Sequence, residues 1–367
     1  MTKRVRARET GIEFGFMETG RFNAITDVEG VGVGHATLIH GDGPLKVGEG
    51  PVRTGVTAIV PHQGNPYEEK VTGAVEIFNA YGKSTGLPQV MHMGVIETPI
   101  MLTDTLNTWI VADAVLDYFR ERYDTTSPSI NPVVGETNGG SLNDSFGRHV
   151  RKKHVFEAID KARSDKGMGP VEEGNIGGGT PMTGYDFKGG IGTSSRVHEG
   201  FTIGALVQLN CGRREDLRID GVAVGREVVI PPPKGEATGS SIMMIVATDL
   251  NLTCRQLWKV ARRAVLGLAR TGSYSGVSSG DFVIAFTTGK KKVEDLLETL
   301  PEEYRRDPCG ERFLGLVYRA AADATEEAII NALFKAETMV GINGNIRYAP
   351  PIDQVKEIFE RHGRGLK

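Results

Sequence analysis

Ser240-Ser241 sits where chemistry is easiest to read in this chain. It lies between the linker-like run Pro231-Pro232-Pro233-Lys234-Gly235-Glu236 and the apolar stretch Ile242 to Ala247. A serine hydroxyl is a weak nucleophile until a base takes its proton. No Gly-x-Ser-x-Gly elbow is present, so the α/β-hydrolase solution has no support. None of the eight histidines falls in a triad motif: His149 and His154 lie in a basic stretch, and His35, His40 and His62 lie among turn residues. A different base is available if the peptide bond before the serine is cut. The freed α-amine has an unperturbed pKa of about 7.7–8.0, so near neutral pH a useful fraction of it is unprotonated. Such a device needs a strand that begins at the nucleophile and a preceding linker that can leave. Ser241 has both.

Three further groups could serve that serine. Ser279 and Asp281 lie at i and i+2 in Gly276-Val277-Ser278-Ser279-Gly280-Asp281; in a strand their side chains share a face and could orient an ammonium or relay a proton. Asn210 ends the apolar run Thr202 to Leu209, where its amide could donate to a developing oxyanion. Read locally, these are equally a turn, a strand terminator and a loop-end serine, and spacing alone does not choose. The clusters Gly177-Gly178-Gly179-Thr180 and Lys188-Gly189-Gly190-Ile191-Gly192-Thr193 lack the Gly-Lys-Ser/Thr ending of a phosphate loop. No His, Cys, Asp or Glu spacing suggests a metal, and no cofactor is expected.

The elements that must position these residues read as follows. Gly30, Gly32 and Gly34 punctuate one strand, and Val56 to Pro61 forms another. A helix is predicted from Thr103 to Tyr123, capped at Thr103 or Asp104, with Leu106, Trp109, Ile110, Leu116 and Phe119 at helical spacing. Lys161 to Glu173 is charged and expected to be exposed. Thr202 to Leu209 and Ser241 to Thr248 read as strands buried on both faces. Thr253 to Arg270 reads as a helix with the capping box Thr253/Gln256. A strand follows at Phe282 to Phe286, then a helix from Thr325 to Val340 stopped by Gly341. Strands and helices interleave, so the class is α/β or α+β.

Composition excludes several functions. With 43 basic and 46 acidic residues and a net charge of −3, the chain lacks the electrostatic footprint of a nucleic-acid or anionic-membrane binder. Lys290-Lys291-Lys292 and Arg151-Lys152-Lys153 read as solvated faces. Nothing approaches the run of about 18 apolar residues that spans a membrane, and Met1 to Glu13 lacks a signal-peptide core. Cys211, Cys254 and Cys309 are too few and too far apart for a disulfide framework, which points to a reducing, cytoplasmic location. Glycine, at 48 of 367 residues, is nearly twice the roughly 7% of an average protein, so a site built largely from loops is expected.

Taken together, these segments resemble the DmpA-type aminopeptidases, the L-aminopeptidase/D-esterase and β-peptidyl aminopeptidase family. The resemblance runs through Asn23-Ala24-Ile25-Thr26-Asp27-Val28, Val33-Gly34-His35, Thr85-Gly86-Leu87 and Glu97 to Thr103. It continues through Gly135-Glu136-Thr137, Leu142-Asn143-Asp144 and both glycine clusters to Ser241 to Asp249 and Ser278-Ser279-Gly280-Asp281. It implies a four-layer αββα sandwich, shared with the ornithine acetyltransferases, and a single domain over 1–367. It also implies self-cleavage between Ser240 and Ser241 into chains 1–240 and 241–367. The resemblance makes Ser241 the nucleophile, Ser279 and Asp281 its assistants, and Asn210 the oxyanion donor. Glu136 or Asp281 would hold the free amino end of a short peptide, aminoacyl amide or ester. A homotetramer is expected by the same resemblance. Two positions depart from the pattern: Ser240 stands where relatives often carry glycine or asparagine, which leaves a cut after Gly239 as an alternative. Asn138 stands where some relatives have a tyrosine beside the substrate. An acyltransferase of the ornithine acetyltransferase type and an uncleaved binding protein are the rival readings; the former family uses threonine as nucleophile.

Overall fold

Two β-sheets share one apolar layer in the computed structural model, which describes residues 4–236, 240–305 and 311–364. The strands are β1 (Gly32–His40), β2 (Val52–Val60), β3 (Val71–Ala80), β4 (Val95–Ile96), β5 (Ile100–Asp104) and β6 (Val133–Thr137). After the short hairpin β7 (Thr183–Gly184) and β8 (Phe187–Lys188) come β9 (Gly190–His198), β10 (Phe201–Asn210), β11 (Ser241–Leu250) and β12 (Gly280–Lys291). The helices are α1 (Leu87–Met93), α2 (Thr108–Tyr123), α3 (Lys152–Ala162), α4 (Cys254–Arg270), α5 (Val293–Thr299), α6 (Glu302–Arg305), α7 (Glu311–Phe334) and α8 (Ile352–Arg361). One sheet has the order β1-β2-β5-β6 and the other β4-β3-β12-β11-β10-β9.

Strand periodicity divides β11 between two cores. Ile242, Met244 and Val246 pack with helices α4 (Cys254–Arg270) and α7 (Glu311–Phe334) on the outside of the six-stranded sheet. Met243, Ile245 and Ala247 meet Ile59, Ile100, Leu102 and Val133 of the other sheet. The outer face of that second sheet is covered by α2 (Thr108–Tyr123) and α3 (Lys152–Ala162) through Val115, Phe119, Val155 and Ile159. The layers are therefore helix, sheet, sheet, helix, as expected. Helix α7 lies directly on β9 because Gly192 allows it: a Cβ there would sit 2.0 Å from the Ala328 carbonyl oxygen. At the same contact the buried Glu327 pairs with Arg196 at 2.7 Å and with Arg8 at 2.8 Å.

Most strands stand where the pattern put them, and every residue of β10 and β11 is buried. The capping box also holds, with Thr253 Oγ1 accepting from the Gln256 N–H and Gln256 Oε1 accepting from the Thr253 N–H. Three expectations need correction. Thr103 and Asp104 end strand β5 rather than opening a helix; α2 begins at Thr108 after a turn at Thr105–Asn107. Its buried face is Val111, Ala114, Val115, Tyr118 and Phe119, and Trp109 and Leu116 are exposed. The last long helix is α7, which ends at Phe334, well before Gly341. The segment from Lys161 to Glu173 is only partly exposed: Ala162 and Gly167 are buried, and the buried Glu173 carboxylate pairs with Arg6 at 2.8 Å. Among the described residues no helix is long and apolar enough to cross a membrane.

Candidate active site

Ser241 opens β11, directly after the linker, and two neighbours hold it. On β10, Asn210 is its register partner. On the parallel neighbour β12, Ile242 pairs with Asp281, which brings the start of that strand beside the serine. The backbone N–H of Gly280 donates to Ser241 Oγ at 3.0 Å. Gly280 must be glycine here, because a Cβ would stand 2.5 Å from the Tyr81 carbonyl oxygen.

The peptide before Ser241 is held from the other side. Ser279 Oγ contacts the Ser240 carbonyl oxygen and lies 2.6 Å from Asp281 Oδ1. Ser275 Oγ donates to Asp281 Oδ2. A hydroxyl carries one proton. Ser279 can serve both neighbours only if Asp281 is the neutral acid and donates to Ser279 Oγ, which then donates to the Ser240 carbonyl. Burial pushes the Asp281 carboxyl up toward that neutral form, opposed by the hydrogen bonds donated by Ser275, by Ser279 whenever its proton turns to Asp281 instead, and by the Ile242 backbone. The bond Ser240–Ser241 therefore has a hydroxyl beside it and a polarising donor on its carbonyl. A cleft of about 690 Å³ borders Ser240 and the loop Ser273 to Ser278, with Asp186, Arg213 and Asp216 also on its walls.

Asn210 is turned by Thr183. Its Oδ1 accepts from the Thr183 N–H at 2.8 Å and from Thr183 Oγ1 at 3.3 Å, leaving the amide nitrogen to donate. One of its two N–H groups goes to the Asn138 carbonyl oxygen at 2.9 Å. The Thr183 loop is anchored by Lys188, whose fully buried amino group donates to the carbonyls of Met182 at 2.7 Å and Gly189 at 2.8 Å. Desolvation holds that lysine well below its usual pKa.

Glu136, near the end of β6, is buried, and its Oε1 accepts from the Lys83 N–H at 2.6 Å. Burial raises its pKa, opposed by the Lys83 N–H and the Thr105 hydroxyl. Gly82 separates it from β12: a Cβ on Gly82 would lie 3.1 Å from Glu136 Oε1 and 2.8 Å from the Phe282 ring. Asn138 bonds within its own turn, its Oδ1 accepting from the Gly140 N–H at 2.9 Å. That turn is fixed by the buried Asp104, which accepts from the Gly139 N–H, Asn143 Nδ2 and Ser145 Oγ, each at 2.8 Å. The structure thus brings Ser240, Ser241, Ser279 and Asp281 into one cluster, with Asn210 across the ladder and Asn138 behind it. Glu136 approaches through Gly82 rather than by direct contact with Ser241.

Sequence reasoning missed Gly280, Ser275, Asp104 and Thr183. The signal for Ser275 and Gly280 was present in the Ser/Gly density of residues 272–281; Asp104 and Thr183 act across distances that only the fold supplies. Of the histidines, His35 bonds to Thr57 Oγ1 at 2.9 Å and is held by burial at a pKa of about 3, and His149 pairs with Asp144 at 2.8 Å. Gly177–Gly179 form a turn packed between strands, where a Cβ on Gly178 would stand 2.2 Å from Gln208 Oε1. Cys211 and Cys254 are free thiols; Cys309 and Gly239 lie outside the described residues.

Known proteins resemble this chain over nearly its whole length. Residues 23–347 match the model of peptidase family S58. The chain is 40% identical over 380 residues to the β-peptidyl aminopeptidase BapA of Sphingosinicella xenopeptidilytica, covering 97% of this chain and 91% of that protein. It superposes with a TM-score of 0.86 and 38% identity on the L-aminopeptidase D-Ala-esterase/amidase of Ochrobactrum anthropi, with 99% of each chain covered. That protein is described as a prototype serine aminopeptidase and a variant of the Ntn-hydrolase fold. The crystal structure of the PH0078 protein of Pyrococcus horikoshii matches with a TM-score of 0.86 and 46% identity, over 98% of this chain and all of that one. The chain belongs to peptidase family S58 and is a hydrolase, an aminopeptidase of the N-terminal-nucleophile type.

Proposed function

We propose that Ser241 is the nucleophile of this aminopeptidase and that the chain makes it by cutting its own Ser240–Ser241 bond. The observation that carries the reading is the Ser240 carbonyl in contact with Ser279 Oγ, while Ser241 Oγ lies within reach of the Gly280 N–H. Ser241 Oγ adds to the Ser240 carbonyl carbon, the C–N bond breaks, and the nitrogen takes a proton. Water then hydrolyses the resulting ester, leaving a carboxylate on Ser240 and a free α-amine on Ser241.

In turnover the amino end of a substrate binds Glu136, whose buried carboxylate favours an ammonium partner over water. Ser241 Oγ attacks the first carbonyl as the α-amine takes its proton. The N–H of Asn210 not used by Asn138 stabilises the oxyanion. The amine leaves with the proton, and water releases the acyl group. Ser279 and Asp281, freed of the Ser240 carbonyl, orient the α-amine.

Short peptides, aminoacyl amides and esters with a free amino end are the substrates this arrangement suits, β-residues among them by likeness to the β-peptidyl aminopeptidases. The free thiols Cys211 and Cys254 suit a cytoplasmic enzyme, and exposed Trp109, Phe146 and Val229 suit subunit contacts in a homotetramer. A panel of L-, D- and β-aminoacyl p-nitroanilides tests the activity: hydrolysis that disappears when the substrate's amine is acetylated is expected. Equal turnover of acetylated substrates would contradict the reading.

A further inference from the structure

We infer that Asn79 is a positioning residue of this active site, acting through Ser279. Asn79 lies near the end of β3 and pairs with Asp281 on β12. The ladder between these strands is irregular here. Phe282 pairs with Ile77 but Asp281 with Asn79, so Phe78 is an extra residue opposed by nothing. Such a bulge bends a strand and re-aims the side chain that follows it. The carboxamide of Asn79 faces the Gly276–Ser279 turn, with Nδ2 at 2.6 Å from the Ser279 carbonyl oxygen, 3.0 Å from that of Gly276 and 3.3 Å from that of Val277.

An amide nitrogen has two hydrogens, so two carbonyls are bonded at a time and the third is within reach. All three acceptors belong to the turn that delivers Ser279. The Ser279 carbonyl also accepts from the Tyr81 N–H at 3.2 Å. The backbone of Ser279 is therefore gripped by two donors from the end of β3, while its hydroxyl works on the Ser240 carbonyl and Asp281. Of the turn's other bonds, one is its own, from the Ser279 N–H to the Gly276 carbonyl at 2.9 Å. The rest run to the proposed cleavage site itself, where Ser240 Oγ donates to the Ser278 carbonyl at 2.7 Å and Ser275 Oγ to Asp281. Its tip is bare, with Val277 98% exposed and nothing within 4 Å of a Cβ on Gly276. Without the clamp, Ser279 keeps its chemistry but loses its place. A misplacement of about 1 Å costs on the order of a hundredfold in rate.

The inference rests on the proposed role of Ser279. The test uses the full chain carrying Asn79→Ala or Asn79→Asp, beside the unaltered chain. Asp keeps the size of Asn but presents only acceptors to three carbonyls. Three quantities are measured: the half-time of appearance of fragments 1–240 and 241–367, kcat and KM per titrated active centre on an aminoacyl p-nitroanilide, and the melting temperature. Both variants should process and turn over at least about tenfold more slowly, with KM and melting temperature nearly unchanged and Asp no better than Ala. Three results overturn the inference: unchanged rates, rates restored by Asp, or a loss fully accounted for by fewer active centres. If instead the unaltered chain stays whole and inactive, the proposed function fails.

Discussion

Asn210 and Ser241 stand directly opposite each other on the antiparallel neighbours β10 and β11. Side chains so placed have Cβ atoms about 4.5–5.5 Å apart, which puts an amide N–H within reach of an oxyanion formed on the serine. Thr183 decides which end of the amide faces inward. In the proposed mechanism Asn210 is thus a donor oriented before any substrate arrives, the condition under which such groups lower a barrier most.

Asn210→Ala should therefore lower kcat by about 10²–10³ with little change in KM, as removal of one oxyanion donor does. Steady-state kinetics on an aminoacyl p-nitroanilide measures this. A variant with kcat within twofold of the parent would remove Asn210 from the mechanism.

Glu136→Gln should act on binding instead. It keeps the oxygen facing Lys83 and removes the charge that would pair with a substrate ammonium. A charge-assisted hydrogen bond is worth about 1.5–3 kcal/mol, so kcat/KM should fall by at least about tenfold, mostly through KM. Because burial raises the Glu136 pKa, substrate binding by the parent should weaken as pH falls through that raised value and the carboxylate is lost. An unaltered KM would exclude Glu136 as the amino-end partner.

The two halves of the reaction should respond oppositely to pH. In the proposed self-cleavage a neutral Asp281 donates to Ser279, which in turn donates to the Ser240 carbonyl. Burial raises the Asp281 pKa, so the neutral acid persists above the ordinary carboxylate range, and processing should slow as pH rises through the raised value. Turnover needs the α-amine unprotonated and should quicken as pH rises through about 7.7–8.0. Asp281→Asn removes the titrating group; its processing should lose the pH dependence, and kcat should fall at least about tenfold with folding intact. Processing that quickens with pH in the parent would contradict the proton assignment.

Much of this was legible in the chain itself. Uninterrupted apolar runs marked β10 and β11 because strands buried on both faces have no polar side to show, and the linker before Ser241 set where the second run begins. The pairing of Ser279 with Asp281 came from the family resemblance; periodicity would place them on one face only if the strand already ran through Ser279, and β12 begins one residue later, at Gly280. What stayed hidden depends on neighbours in space. Asn79 and Gly280 matter because β3 lies beside β12, a pairing of strands some two hundred residues apart that no local pattern encodes. The face of α2 was misread because the side on which the sheet lies, not hydrophobicity, decides burial; Ala114 is buried and Trp109 is not. The start of α7 was missed because its long alanine-rich stretch, Ala320-Ala321-Ala322-Asp323-Ala324, is buried all round and shows no amphipathic period.

The central claim is that Ser241 cuts the chain to make its own catalytic amine. Intact mass of the purified protein and of Ser241→Ala, with N-terminal sequencing of any fragment, tests it most directly. The account predicts two chains from the parent, the second beginning Ser241-Ile242-Met243. It predicts one full-length, inactive chain from Ser241→Ala with an unchanged melting temperature. A parent that is active while whole, or a Ser241→Ala variant that still splits at this bond, would contradict it.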